Sequence, residues 1–294
     1  MKSYAKIING VNSSIWAILP DKMDQILAIL RNKVLSVEIE GDTEIDEITA
    51  EKRRATPYRN ISGNIASLQI YGTIAQRFSA LESGGTTTEQ IGSLFDQAIN
   101  DPNVGAVVLD IDSPGGSVYG VSELAKKIFD ARGKKPIIAV CNSLMASAAY
   151  WIGSAADQIV VTPSGEIGSI GVLAVHVDDS EADAKAGVKT TVFRSTEHKG
   201  EGIGPLSEDS MGYMQKRVME YHSMFVNDIA RNRDTKAAKV DENYGKGRVM
   251  GAEVAVSVGM ADRVATFEQV IDDLRSDSGK KKKLRAQVDL MKIR

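Results

Sequence analysis

The sequence predicts an α/β fold in which repeated βα units surround a largely parallel sheet, with an N-terminal helical arm and a basic C-terminal tail. Three observations carry it. Val104 to Ile111 (VGAVVLDI) and Ile137 to Cys141 are near-continuous apolar runs, the pattern of strands buried on both faces. Segments with apolar residues at helical spacing lie between and after such runs, so strand and helix alternate, which implies right-handed crossovers around a parallel sheet. The chain of 294 residues is 43% hydrophobic and 26% charged, enough for one core of about 200 residues plus extensions.

In chain order, Asp21 to Leu35 reads as an amphipathic helix, with Met23, Ile26, Leu27, Leu30 and Val34 near helical spacing and Asp21 after Pro20 as its cap. Glu38 to Arg54 is dense in charge and reads as a linker, so residues 1–55 form an arm and 56–275 the main domain. Ile65 to Tyr71 is a strand ended by Gly72. Thr88 to Asn100 is a helix whose Ile91, Leu94, Phe95, Ala98 and Ile99 share one face. After the strand Val104 to Ile111, Val118, Val121, Leu124, Ala125, Ile128 and Phe129 give a second amphipathic helix. The strand Ile137 to Cys141 leads to a small-residue helix from about Ser147, then to strands Ile159 to Val161 and Ile170 to Val177. A Gly-rich loop, Ser195 to Gly204, precedes a long helix from about Ser207 to Arg231. The stripe on it, Met211, Met214, Val218, Tyr221, Phe225 and Ile229, is read as core or subunit interface. Glu253 to Val258, stopped by Gly259, is a last short helix, and residues 276–294 are a polar, basic tail.

Composition narrows the function classes. A formal net charge of −3 gives no global reason to expect nucleic acid or an anionic membrane as partner. The lone Cys141 cannot form an internal disulfide and, inside an apolar run, packs as a small hydrophobe. No stretch approaches the ~20 apolar residues of a bilayer span, and the N-terminus has no signal-peptide core, so a cytoplasmic location is expected. No motif for a metal or a cofactor is evident.

Three segments make little sense as packing alone. Asp112-Ser113-Pro114-Gly115-Gly116-Ser117 lies between a buried strand and a helix, where adjacent glycines let a substrate approach backbone N–H groups that can stabilise an oxyanion. In Asn142 to Tyr150, Ser147 is flanked by Ala146, Ala148 and Ala149. Its hydroxyl has room for a substrate carbonyl, although Ser147, or equally Ser143, could simply cap the helix. The third segment is Gly165-Glu166-Ile167-Gly168-Ser169-Ile170-Gly171-Val172, followed later by Glu197-His198-Lys199-Gly200.

Together and in this order, these segments resemble the signal peptide peptidase A (protease IV) family, from about Ile65 to Val264. The matching positions are the turn Ser113 to Gly116, Ser147, Gly168 to Val172 and Lys199, with the closing pattern Arg248-Val249-Met250-Gly251 through Gly259-Met260-Ala261-Asp262. The resemblance implies the ClpP/crotonase type of fold and a serine peptidase with no cofactor or metal. By it Ser147 is the nucleophile, Lys199 the general base, Ser169 a hydroxyl partner of the lysine, and the amides of Gly115 or Gly116 with Ala148 the oxyanion hole. Lysine serves as a base only when neutral, which burial favours, and Ile203 with the Gly-rich loop is expected to close over the amine. Trp16-Ala17-Ile18-Leu19-Pro20 and the helix after it resemble the opening of bacteriophage members. Those imply a head-maturation protease acting on scaffold or capsid protein, in the host cytoplasm or inside the prohead, as a homo-oligomer without nucleic acid or membrane partners.

Rival readings differ at named residues. A ClpP-type triad would use His176 with Asp178 or Asp209 behind Ser147. A CoA hydratase or isomerase would share the oxyanion amides but find no acid or base in a serine. A non-catalytic scaffold or capsid-binding protein requires that Ser147 and Lys199 do not meet.

Overall fold

The computed structural model describes residues 14–34, 59–60, 64–77 and 85–276. Its first elements are β1 (Ile15–Ile18), α1 (Pro20–Val34), β2 (Arg59–Asn60), β3 (Ile65–Tyr71), β4 (Ile74–Ala75), β5 (Thr86–Thr87) and α2 (Thr88–Asn100). Then come β6 (Ala106–Ser113), β7 (Gly115–Ser117), α3 (Val121–Asp130), β8 (Ile137–Ala146), α4 (Ala148–Gly153), β9 (Gln158–Val161), β10 (Glu166–Gly168) and β11 (Leu173–Ala174). The C-terminal part adds α5 (Ser180–Lys185), α6 (Glu208–Asn232), α7 (Ala237–Asn243), β12 (Val249–Gly251), α8 (Ala252–Val258) and β13 (Arg263–Val264). The expected linker Glu38 to Arg54 and the tail beyond Ser276 lie outside the described residues.

Ends are set by local chemistry. Thr87 caps α2 by accepting from the Gln90 N–H, and Ser207 caps α6 by accepting from the Ser210 N–H, each at 3.1 Å. Pro20, with no N–H to leave orphaned, opens α1 at its first position. Gly259, left-handed at φ 90°, stops α8 as the sequence indicates.

The larger sheet runs β12-β10-β8-β6-β3-β2, with β9 on β8 and β13 on β9. The pairs β3/β6, β6/β8, β8/β9, β8/β10 and β9/β13 are parallel, while β2 and β12 join antiparallel. The expected α/β architecture with a largely parallel sheet is therefore present. One face carries α2, α3, α4 and α6 over a core that includes Leu68, Phe95, Leu109, Trp151 and Phe225. On the other face, Val270 and Ile271 of a helical stretch over 267–276 pack on Ile65, Val108, Val140 and Val160. Coverage on both sides explains why β6 and β8 read as unbroken apolar runs.

A smaller sheet, β11-β1-β7-β4-β5, sits at the C-terminal ends of the central strands. Its second strand, β1, comes from the segment that the sequence assigns to the arm. Trp16 and Ile18 face Met23 of α1 with Leu173 and Val175 alongside, whereas Ile15 and Ala17 face the main core.

Three expectations shift. β8 runs five residues past Cys141 to Ala146, because Leu144–Ala146 pair with β10. The strand expected over Ile170 to Val177 is only Leu173–Ala174. The double-glycine segment is itself a strand, β7, and the following helix begins only at Val121, so its amides are not at a helix N-terminus.

Candidate active site

The C-terminal ends of β6, β8 and β10 set the three singled-out segments side by side, the edge at which open parallel sheets place their sites. In the β8/β10 register Ala146 faces Gly168, so Ser147 and Ser169 leave neighbouring strands at the same level. On the other side Ser113 faces Met145 across a register shift, which brings Pro114 and Gly115 level with Ser147.

Ser147 has φ 55° and ψ −117°, and Ser169 has φ 53°, a region that L-residues adopt at a cost. The Ser147 N–H donates to Gly168 O at 2.7 Å, fixing the turn. Its hydroxyl makes no capping bond to α4 and points instead toward Gly171 O at 3.5 Å, so a simple helix-cap role does not describe it. Ser143 lies within β8 on its exposed part and caps nothing either. Ser169 is 3% exposed, and its hydroxyl has no hydrogen-bond partner among the described residues.

Gly115 is where side-chain bulk is excluded. At φ 93°, a methyl placed on it would lie 3.0 Å from both Ala146 O and Ala148 N and 2.3 Å from Ala17 O. The Ala148 N–H is a first-turn amide of α4, which no intrahelical carbonyl can accept. The Gly115 N–H donates to Ser113 Oγ at 3.1 Å. Gly116 is engaged differently. Leu19 N–H to Pro114 O and Val118 N–H to Ile15 O flank the Ala17/Gly116 pair, so ladder alternation makes that pair hydrogen-bonded and gives the Gly116 amide to Ala17.

Lys199 stands in the exposed loop before α6, and its side chain forms no hydrogen bond or ion pair among the described residues. Ile203, expected to shelter it, is 52% exposed. Next to it, His198 Nδ1 lies 2.5 Å from Glu201 and 3.7 Å from Asp209, and the bond to Glu201 raises its pKa above the usual imidazole value. The structure thus brings Ser147, Ser169, Gly115 and Ala148 together, while the amine stays in solvent.

The alternative base is placed elsewhere too. His176 Nε2 pairs with Gly204 O at 3.0 Å, tethering the end of the lysine loop, and no hydrogen bond joins it to Ser147. Asp178 accepts from the Ser180 N–H at 3.0 Å and Asp209 is exposed, and among the described residues neither is hydrogen-bonded to His176.

Two supports were not foreseen. Asp228 of α6 accepts from Trp151 Nε1 at 2.8 Å and Ser122 Oγ at 2.7 Å, beneath the helix that follows the nucleophile. The Arg132 guanidinium donates to the carbonyls of Ser154, Ala155, Ala156 and Asn232 at 2.7–3.1 Å, joining the ends of α4 and α6. Neither has a local signature, since both act across about 20 to 106 residues. Cys141 is buried as expected, and burial pushes its thiol up to about 12. Beyond Gly171 a cleft of about 790 Å³ opens toward α6, lined by Val172, Leu206, Met211, Met214 and Val218. No described helix is long and apolar enough to cross a membrane.

Among known proteins, the model of peptidase family S49 matches residues 130–281. The chain is 35% identical over 234 residues to the head-tail preconnector protein GP5 of Enterobacteria phage P21, covering 78% of this chain and 46% of that one. It is 32% identical over 227 residues to the capsid assembly protease C of Escherichia phage lambda, covering 76% and 51%. To a putative signal peptide peptidase SppA of Enterococcus faecium it is 30% identical over 250 residues, covering 81% and 68%. The chain spans about half the length of the two phage relatives.

Proposed function

Because the chain belongs to peptidase family S49, we propose that it is a serine endopeptidase in which Ser147 attacks the substrate carbonyl and Lys199 is the general base. The observation that carries it is Ser147 itself, held at positive φ at the end of β8 with its hydroxyl free of any capping duty. Lys199 Nζ takes the Ser147 proton, the oxygen adds to the carbonyl carbon, and the oxyanion is held by the Ala148 amide with that of Gly115, which turns to it from Ser113 Oγ. The proton passes to the leaving amine, and water then hydrolyses the acyl-enzyme with the lysine again moving the proton. For this the loop Ser195 to Gly204 carries the amine inward, where Ser169 is its hydroxyl partner; Gly200, Gly202 and Gly204, all at positive φ, are its pivots.

The name of one phage relative, a capsid assembly protease, supports a substrate in capsid assembly; we take it to be a capsid or scaffold protein, cut in the host cytoplasm or within the prohead. The main domain, 56–275, is the catalytic unit, between an arm over 1–55 and a tail over 276–294. The exposed Met211, Tyr213 and Met219 of α6 support self-association.

Hydrolysis of an unstructured polypeptide such as casein, with new termini mapped by mass, is the test. Ser147→Ala and Lys199→Ala should each lower the rate by roughly 10²–10⁴-fold or more, while His176→Ala keeps most of it, each variant first shown folded by thermal melting. An inactive His176→Ala beside a near-normal Lys199→Ala would move the base to His176. Unchanged termini in co-expressed capsid and scaffold proteins after Ser147→Ala would remove the maturation role alone.

A further inference from the structure

The slot beside Ser147 is already filled by the chain's own N-terminal strand. Residues Ile15–Ile18 run antiparallel to β7, with Trp16, Ala17 and Ile18 opposite Ser117, Gly116 and Gly115. On the other side they run antiparallel to β11, with Ile15 opposite Ala174 and Trp16 opposite Leu173. Both walls are continuations of segments that meet Ser147: β7 begins at Gly115, and β11 follows Gly171, whose carbonyl faces the Ser147 hydroxyl. The Ala17 carbonyl and the Ala148 amide flank Gly115, so the occupant presents a backbone carbonyl beside the nucleophile's own turn.

We propose that β1 is a resident occupant of a slot that recognises extended polypeptide by main-chain pairing on both sides, so that an incoming chain binds only by displacing it. This rests on the peptidase reading for its purpose, but not for its geometry. A strand paired along both edges is bound as an added β-strand is, with backbone hydrogen bonds giving affinity and alternate side chains giving selectivity. The occupant shows what fits: a small residue, Ala17, facing the core side at full burial, between large apolar residues on the outer face, Trp16 and Ile18. It also shows why the resident is held rather than presented as an extended chain through the site. After Leu19, whose N–H donates to Pro114 O at 2.8 Å, Pro20 turns the chain into α1.

The test is made in the full chain with Ser147→Ala, so that hydrolysis does not deplete the probe, a labelled peptide copying residues 14–19 with two lysines appended for solubility. Ala17→Pro removes the N–H that pairs with Gly116 and should let the peptide bind at least tenfold more tightly than the parent does. Trp16→Cys with Ser117→Cys joins a non-hydrogen-bonded pair, whose Cα separation of about 4.5 Å suits a disulfide. Its oxidised form should exclude the peptide and regain binding on reduction. Equal binding by parent and Ala17→Pro, failure of the disulfide to form, or peptide binding undiminished by the closed disulfide would each overturn the proposal. Hydrolysis is read separately in Ala17→Pro with Ser147 intact: a peptide that binds there but is never cut refutes the peptidase reading and leaves the occupied slot standing.

Discussion

At Ser147 the backbone conformation and the chemistry pull in opposite directions. A non-glycine residue held in a sparsely populated φ/ψ region costs of order 1–3 kcal/mol, and it persists only where the surroundings over-determine it. Here the Ser147 N–H on Gly168 O and the buried helix α4 do so. Ser147→Gly should therefore raise unfolding stability by about 1 kcal/mol while ending turnover, whereas Ser147→Ala keeps the strain. Urea melts of the two variants read the difference, and a Ser147→Gly protein no more stable than Ser147→Ala would show that the turn is unstrained. In the sequence this residue stands out from a plain helix cap only through the joint occurrence of its small-residue segment with the double-glycine and Gly168 to Val172 segments. The position of Lys199 was not legible, since nothing in the spacing of a glycine-rich loop says whether it lies over a site or in solvent.

Among the elements, those whose limits are set locally were read closely: β3 and α2 begin and end where Gly72, Thr87 and the apolar period place them. Those set by distant partners were not. The extension of β8 depends on β10, and β7 exists only because β1 and β4 pair with it. Gly116 shows the constraint, since a methyl there would lie 1.8 Å from Ile74 O. Helix α4 is too short to be stable alone, and Arg132 fixes its end by donating to four carbonyls. Arg132→Ala should cost about 3 kcal/mol, measured by urea unfolding, and Arg132→Lys should recover little of it, because one ammonium cannot span the same carbonyls. A loss below ~1 kcal/mol in Arg132→Ala would mean that water replaces the guanidinium.

For the molecule as a whole, the helix α6 changes character along its length. Its C-terminal half supplies core residues, with Phe225 stacked on Trp151 at 4.4 Å between ring centroids, whereas Met211, Tyr213 and Met219 nearer its start are 50–56% exposed. The sequence read this stripe as core or interface without separating the two halves, since periodicity reports an apolar face and not what covers it. Sedimentation at micromolar concentration should give a species larger than a monomer, and Met211→Glu with Met219→Glu should shift it toward the monomer. A parent that sediments as a clean monomer would remove the oligomer.

The order in which the chain is made gives β1 a further consequence. It is synthesised before both of its partners, β7 following it by about 100 residues and β11 by more than 150. Such contacts form late, after a large loop-closure cost, and until they form β7 is a bare sheet edge of the kind that recruits strands from other chains. Once docked, the same four residues pair with both strands and close them to other chains.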